Sequence, residues 1–271
     1  MQTEQVHLTQ EKETMLLALY SRAMESRKGA PLLRDRMAEQ AIERIDYDFE
    51  RTKPSSVESL QVVLRSLQLD RWTAEFLAEH PDATVLRLGC GLDSRVYRLE
   101  PPPGVRWFDV DYPEVIELRQ RLYPERAGYR MFGASVTDPG WLDQVPGDCP
   151  AWIVAEGLMY YLPESGLKTL LNRLTGHFPS RQMAFDAVSS LGAKLAKNNA
   201  KIRATGATIG WWIDDPRDIQ QLDPKLELVT ELRPAEAHRY DRLPRSFRAL
   251  LCVLDLFPSL RRLNRLLRYQ F

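Results

Sequence analysis

Thr84-Val85-Leu86-Arg87-Leu88-Gly89-Cys90-Gly91-Leu92-Asp93 is the stretch whose reading decides the fold. Its first half is a short run rich in β-branched and aliphatic residues that stops at glycine, which reads as a buried strand. Its second half carries two glycines one residue apart, which let the backbone turn tightly and pass close to a ligand. A simple strand-to-helix turn would use the same glycines, so the loop alone does not specify a nucleotide. Ser94 stands where a third glycine would complete the G-x-G-x-x-G dinucleotide spacing. That absence counts against a nicotinamide-dependent oxidoreductase.

Downstream, strand-like and helix-like segments alternate up to residue 187. Val105–Val110, Tyr129–Phe132, Ala151–Ala155 and Met183–Ala187 read as strands. Pro113 opens a helix bearing Val115, Leu118 and Leu122, and Leu167, Leu170, Leu171, Leu174 and Phe178 mark another. This rhythm predicts an α/β fold with a mostly parallel sheet and helices on both faces. Residues 188–215 break it and read as an insertion over the site, and Leu226–Leu232 reads as a late strand. The tail, Phe247 to Phe271, is apolar and basic at helical spacing and reads as a cover helix.

Upstream, residues 1–80 read as helical. Leu16, Leu19, Tyr20 and Ala23 share one face, as do Ala38, Ala41, Ile42 and Ile45, and then Val57, Leu60, Leu64 and Leu67. Pro31 and Pro54 separate the three. The expected organisation is a helical cap over 1–80 and a ligand-binding domain over 81–271.

Bulk properties fit one large α/β domain. The 271 residues are 44% hydrophobic and 27% charged, and Lys+Arg and Asp+Glu balance at 37 each. Zero net charge offers no nucleic-acid or membrane partner. Three cysteines (Cys90, Cys149, Cys252) without CxxC spacing give neither a disulfide framework nor a structural metal site, which suits a reducing cytoplasm. Met1–Lys12 has no apolar core of a signal peptide, and no apolar run approaches the ~18 residues of a membrane span.

Three carboxylates fall at strand ends, where open α/β sheets bind ligands. Asp93 closes the glycine loop. Asp109 and Asp111 share a face by strand alternation; Asp111 ends the strand about 20 residues after the glycines, where an acid grips ribose hydroxyls. Asp109 reads as a solvated or capping residue. Glu156 ends the most apolar strand, and a half-buried carboxylate there needs a partner: a ligand ammonium, or equally an internal Arg or Lys. Gly133-Ala134-Ser135-Val136-Thr137-Asp138 follows the third strand, where a loop flanks a base or simply caps a helix.

Taken together, these segments resemble the leucine carboxyl methyltransferase family, and within it the bacterial polyketide O-methyltransferases of the tetracenomycin type. The likeness rests on Leu88-Gly89-Cys90-Gly91-Leu92-Asp93-Ser94-Arg95, Asp109-Val110-Asp111-Tyr112-Pro113-Glu114-Val115 and Ala155-Glu156-Gly157-Leu158, and runs from Ser21-Arg22-Ala23-Met24-Glu25-Ser26 to Trp212-Ile213-Asp214-Asp215-Pro216. The resemblance implies a Rossmann-like class I methyltransferase with a seven-stranded sheet, an N-terminal helical cap and S-adenosyl-L-methionine as cofactor. Gly89, Cys90, Gly91 and Asp93 would border the cofactor's amino-acid end, although Cys90, alanine in many relatives, suggests no chemistry of its own. Asp111 would hold the ribose, Ser135 and Val136 would border adenine, and Glu156 would lie near the methionine moiety. Arg65 and Arg22 would pair with the cofactor carboxylate, for which a guanidinium fork is suited.

The expected activity is O-methylation of a carboxylate or hydroxyl on a small molecule, polyketide-like in class. A methyltransferase acting on a protein carboxyl group, and a non-catalytic cofactor-binding protein, are the alternatives. A carboxylate acceptor needs no base, whereas a hydroxyl benefits from one. None of His7, His80, His177 and His238 takes a role here, which favours a carboxylate, or Tyr160 or Tyr161 as a base. Trp211-Trp212-Ile213 reads as acceptor-pocket lining or as core.

Overall fold

The computed structural model describes residues 4–5, 11–50, 53–178, 181–198, 206–233, 236 and 240–271. His7, His238 and part of the expected 188–215 insertion lie outside them.

Seven strands form the central sheet: β1 (Thr84–Leu88), β2 (Arg106–Asp111), β3 (Tyr129–Gly133), β4 (Ala151–Ala155), β5 (Arg181–Val188), β6 (Glu227–Leu232) and β7 (Asn264–Gln270). Their spatial order is β3-β2-β1-β4-β5-β7-β6. Strands β1 to β5 pair in parallel, and β7 runs antiparallel between β5 and β6. The order reverses between β1 and β4, so a crevice opens at their carboxyl ends.

The helices are α1 (Glu11–Ser26), α2 (Arg36–Arg44), α3 (Ser56–Glu79), α4 (Arg95–Leu99), α5 (Pro113–Leu122), α6 (Glu164–His177), α7 (Ser190–Asn198) and α8 (Arg245–Asp255). Their starts follow local chemistry. The Asp35 carboxylate accepts the Ala38 N–H, and Ser55 with Glu58 closes a reciprocal capping box on α3. Pro113 stands in the first turn of α5, where no N–H is needed.

Strands β1 and β4 are buried throughout, which is why they read as unbroken apolar runs. On one face, Leu86, Ile153 and Phe185 pack with Leu167, Leu170 and Leu174 of α6. On the other, Val85, Trp107 and Trp152 pack with Leu69, Trp72 and Phe76 of α3. The amino-terminal half of α3 continues upward, where Leu60, Val63 and Leu64 meet Phe247 and Leu251 of α8.

The tail departs from the helical expectation. Only α8 is helical; Asn264–Gln270 forms β7. The strand has neighbours on both edges, and Leu266, Leu267 and Tyr269 are all buried. A strand buried on both faces loses the period-two alternation that would have revealed it. Among the described residues, no helix is long and apolar enough to cross a membrane.

Candidate active site

A cavity of about 370 Å³ opens at the carboxyl ends of β1, β2, β4 and β5, beneath α1 and α3. The glycine loop after β1 forms one wall. Gly89 (φ 60°) and Gly91 (φ 49°) are both left-handed, a region that side chains strain. A Cβ on Gly89 would stand 2.9 Å from Leu158, and one on Gly91 3.2 Å from Met15 of α1. Both positions therefore require glycine for conformation and for space.

Buried arginines hold the loop by its carbonyls. Arg119 donates to the Gly91 carbonyl at 2.7 Å and to that of Asp93 at 2.9 Å. Arg22 and the Tyr123 hydroxyl both donate to the Leu92 carbonyl. Arg87 reaches the carbonyls of Cys90 and Asp93. Arg119 in turn pairs with Asp109 at 2.6 Å, so Asp109 is buried and structural, not solvated.

The Asp93 carboxylate sits at the centre of this network. Arg98 lies 2.5 Å away, Arg87 2.9 Å, Arg95 3.5 Å and Arg22 3.8 Å. Burial works to raise its carboxyl, but the four guanidinium groups outweigh burial and hold it well below the usual range.

Asp111 closes β2 at the cavity wall. Its Oδ2 accepts the Gly91 N–H at 2.7 Å and its Oδ1 accepts the Tyr112 N–H at 2.8 Å. A carboxylate has about four lone-pair sites. These two bonds leave capacity for a ligand diol. Burial raises the Asp111 carboxyl above its ordinary value, against the pull of both N–H groups and Arg119.

Glu156 lies just past β4. Its Oε1 accepts from Arg65 Nε at 3.0 Å and from the Ser66 hydroxyl at 2.8 Å, and its Oε2 accepts from Arg95 at 2.7 Å. Its partners are thus internal cations of α3 and α4. Burial raises its carboxyl, Arg65 and Arg95 lower it further, and the balance falls at about 2.

Arg65 also pairs with Asp186 at 2.6 Å and, at 21% side-chain exposure, opens onto the cavity. Arg22 is buried in α1 beside Asp35 and Asp93, and its Nε has no hydrogen-bond partner. Tyr160 lines the cavity next to Tyr161. Burial, then Asp186 and Tyr161, raise its phenol well above the ordinary value, which suits donation of a hydrogen bond rather than proton removal.

Ser135 and Val136 do not line this cavity. They follow β3 beside Asp111, whose carbonyl accepts the Ala134 N–H; Ser135 bonds Thr137, and Val136 is core. Cys90 is buried, and burial drives its thiol well up, which suits the inert role read for it. Trp211 packs against Phe185 in the core and Trp212 is exposed under Lys197, so neither lines the cavity. Asp186 was not anticipated. Its signal was an acid inside the apolar run Met183–Val188.

Comparisons with known proteins bear on this geometry. A profile of the leucine carboxyl methyltransferase family matches residues 15–128. The tetracenomycin polyketide synthesis O-methyltransferase TcmP of Streptomyces glaucescens is 44% identical over 279 residues, covering 99% of each chain. The chain belongs to the leucine carboxyl methyltransferase family. An S-adenosyl-L-methionine-dependent methyltransferase of Gibberella zeae, dpfgK, is 34% identical over 88% of this chain and 86% of its own. Among solved structures, a DUF574 family protein of Streptomyces avermitilis superposes with a TM-score of 0.62 at 14% identity, covering 95% of this chain and 96% of that one. One from Thermobifida fusca reaches 0.57 at 19% identity, covering 94% of each chain. These two show the class I fold.

This family member is an S-adenosyl-L-methionine-dependent O-methyltransferase. The residues present fit that cofactor. Gly89 and Gly91 bring bare backbone to the cavity wall, Asp111 on the same wall retains lone-pair capacity, and Arg65 offers an accessible guanidinium.

Proposed function

We propose that the enzyme methylates a carboxylate of a small, polyketide-like molecule, with residues 1–80 as the cap over the cavity and 81–271 as the methyl-transfer domain. The reading is supported by the likeness to TcmP across nearly the whole chain and by a half-open cavity of ligand size whose exposed surface is mostly apolar. The observation that carries the carboxylate is the cavity's lack of histidine among its described lining residues. A carboxylate is ionised at neutral pH and needs no proton acceptor.

In this proposal Asp111 grips the ribose, and the adenine lies toward the loop after β3 that carries Ser135 and Val136. Gly89, Cys90, Gly91 and Asp93 form the turn past the amino-acid end. Arg65, with Arg22 behind it, receives the cofactor carboxylate, and Glu156 fixes Arg65 beside the methionine moiety. When bound, the cofactor supplies a methyl group on an electrophilic sulfonium. The chain's own contribution is alignment and exclusion of water, since in-line displacement depends chiefly on geometry. Tyr160 donates a hydrogen bond at the acceptor end.

A hydroxyl acceptor is the second reading, favoured by Asp186 as a cavity carboxylate able to take a proton. Methyl-labelled S-adenosylmethionine with a cell extract separates the cases. Label in a small molecule, released by mild alkali as methanol, supports a methyl ester. Alkali-stable small-molecule label means a hydroxyl acceptor. Label in a protein band refutes the small-molecule reading.

A further inference from the structure

Helix α8 covers the cap with one face only. Phe247 and Leu251 are buried against Leu60, Val63 and Leu64 of α3. Beside that stripe, Leu250, Val253 and Phe257 follow at i, i+3 and i+7 and so share a second face. All three are exposed, and Leu256 in the turn after the helix is 75% exposed. These four are half of the large apolar side chains exposed among the described residues, gathered on one short segment. An uncovered apolar row of this kind marks an interaction surface.

The charge around the row is one-sided. Residues 242–262 hold five arginines and a single acid, Asp255, in a chain of zero net charge. Arg242, Arg245 and Arg262 are exposed, and none of the three pairs with an acid among the described residues. The row therefore complements an apolar surface that carries negative charge. A second copy of the chain fits poorly, because a two-fold contact would press one arginine-rich segment against the other. An acidic protein would match the charge, but the four side chains of the row offer it no hydrogen bond to fix a register. A bilayer with anionic headgroups matches both parts: acyl chains take the row, and headgroups take the guanidinium groups.

The row also adjoins the cavity. On α3, Leu60 and Val63 hold α8 while Gln61 and Val62 line the cavity. Two residues beyond Arg262, Asn264 is exposed and lines it as well. Between them, the Leu263 carbonyl accepts the Ser189 N–H at 3.2 Å, which ties the end of this segment to the carboxyl end of β5.

We propose that α8 and the turn after it seat the enzyme on an anionic lipid surface, with the cavity mouth beside the contact. The contact is peripheral: the row enters the headgroup boundary while Phe247 and Leu251 stay on α3. An apolar acceptor dissolved in the bilayer would then reach the cavity without crossing water. That consequence rests on the small-molecule reading above; the docking itself does not, so its test uses neither cofactor nor acceptor.

Co-sedimentation of the full chain with phosphatidylglycerol or phosphatidylcholine vesicles tests this. The chain should sediment with phosphatidylglycerol, be released by added salt, and bind phosphatidylcholine at least about tenfold more weakly. Val253→Glu combined with Phe257→Glu should weaken phosphatidylglycerol binding by about tenfold or more. Arg245→Glu combined with Arg262→Glu should do so by a similar factor. Val229→Glu, which alters a similarly exposed apolar residue on the edge strand β6, should stay within about twofold of wild type. An unchanged thermal midpoint certifies that each variant is folded. Absence of sedimentation with phosphatidylglycerol overturns the proposal. A dimer in analytical ultracentrifugation that Phe257→Glu breaks would then assign the row to a second copy, and a monomer would leave it to an acidic protein. Sedimentation that neither α8 variant weakens overturns the proposal too, because the lipid would be met by another surface.

Discussion

The Asp111 carboxylate accepts the Gly91 N–H at 2.7 Å. The glycine loop after β1 and the acid that ends β2 are therefore one unit, not two adjacent features. The bond fixes the carboxylate's rotamer and points its remaining lone pairs into the cavity. Asp111→Ala should weaken S-adenosylhomocysteine by about 10- to 100-fold, the range expected for hydrogen bonds to a charged group. Calorimetry on the folded variant checks this; an unchanged dissociation constant would remove Asp111 from the site.

A side chain at Gly91 is strained. Its φ of 49° strains any L-residue, and a Cβ would meet Met15 at 3.2 Å. Gly91→Ala should cost about 1–2 kcal/mol of stability, seen as a lower urea midpoint. It should also weaken the cofactor, because Met15 must shift into the cavity. Gly91→Ala combined with Met15→Ala should recover part of the stability. If the double variant is no better than the single one, the steric account is wrong.

Much of this was legible because the responsible signals are local. Buried parallel strands such as β1 and β4 are apolar at every position, and Ser55 with Glu58 announces a helix start. Asp111 stood out by distance from the glycines. What escaped was non-local. Glu156 could have met an ammonium or an internal arginine, and only folding shows Arg95 arriving from α4 and Arg65 from α3. Asp109 is spaced like a solvated residue, yet Arg119 from α5 buries it. Strand β7 was hidden because burial on both faces erased its period. Trp211 and Trp212 offered aromatic lining by composition alone, but their backbone directs one to the core and one to solvent.

Asp93 is read from the sequence as a cofactor neighbour, and its geometry adds a structural role. With Arg98 and Arg87 within 3 Å and Arg22 at 3.8 Å, it neutralises cations from α4, β1 and α1. Asp93→Asn preserves shape but removes one carboxylate from a buried cluster, leaving Arg98 with Asp35 and Asp70, and Arg87 with Asp109 at 3.6 Å. Removing one partner of a buried pair typically costs about 3–5 kcal/mol. Chemical denaturation of the free protein should show a loss of that order. A loss below about 1 kcal/mol, the scale of exposed pairs, would mean that water reaches the network.

Glu156 should leave a signature in the acid limb of the stability curve. Its carboxyl lies at about 2 in the folded chain against an ordinary 4.5, because Arg65 and Arg95 overcome its burial. A depressed carboxyl stabilises the fold fully above its unfolded value, and that stabilisation disappears as pH falls from about 4.5 toward 2. The shift corresponds to something on the order of 3 kcal/mol. Urea unfolding of wild type and Glu156→Gln should therefore differ most at pH values above the ordinary carboxyl range and converge as acid is added. Asp93, which arginines also hold low, is present in both proteins, and Asp186 is shifted in the opposite sense, so the difference between the two curves should report chiefly Glu156. A gap between the two proteins that stays constant through this window would mean that Glu156 is held by shape and hydrogen bonding to Ser66, and not by the charge of the two arginines.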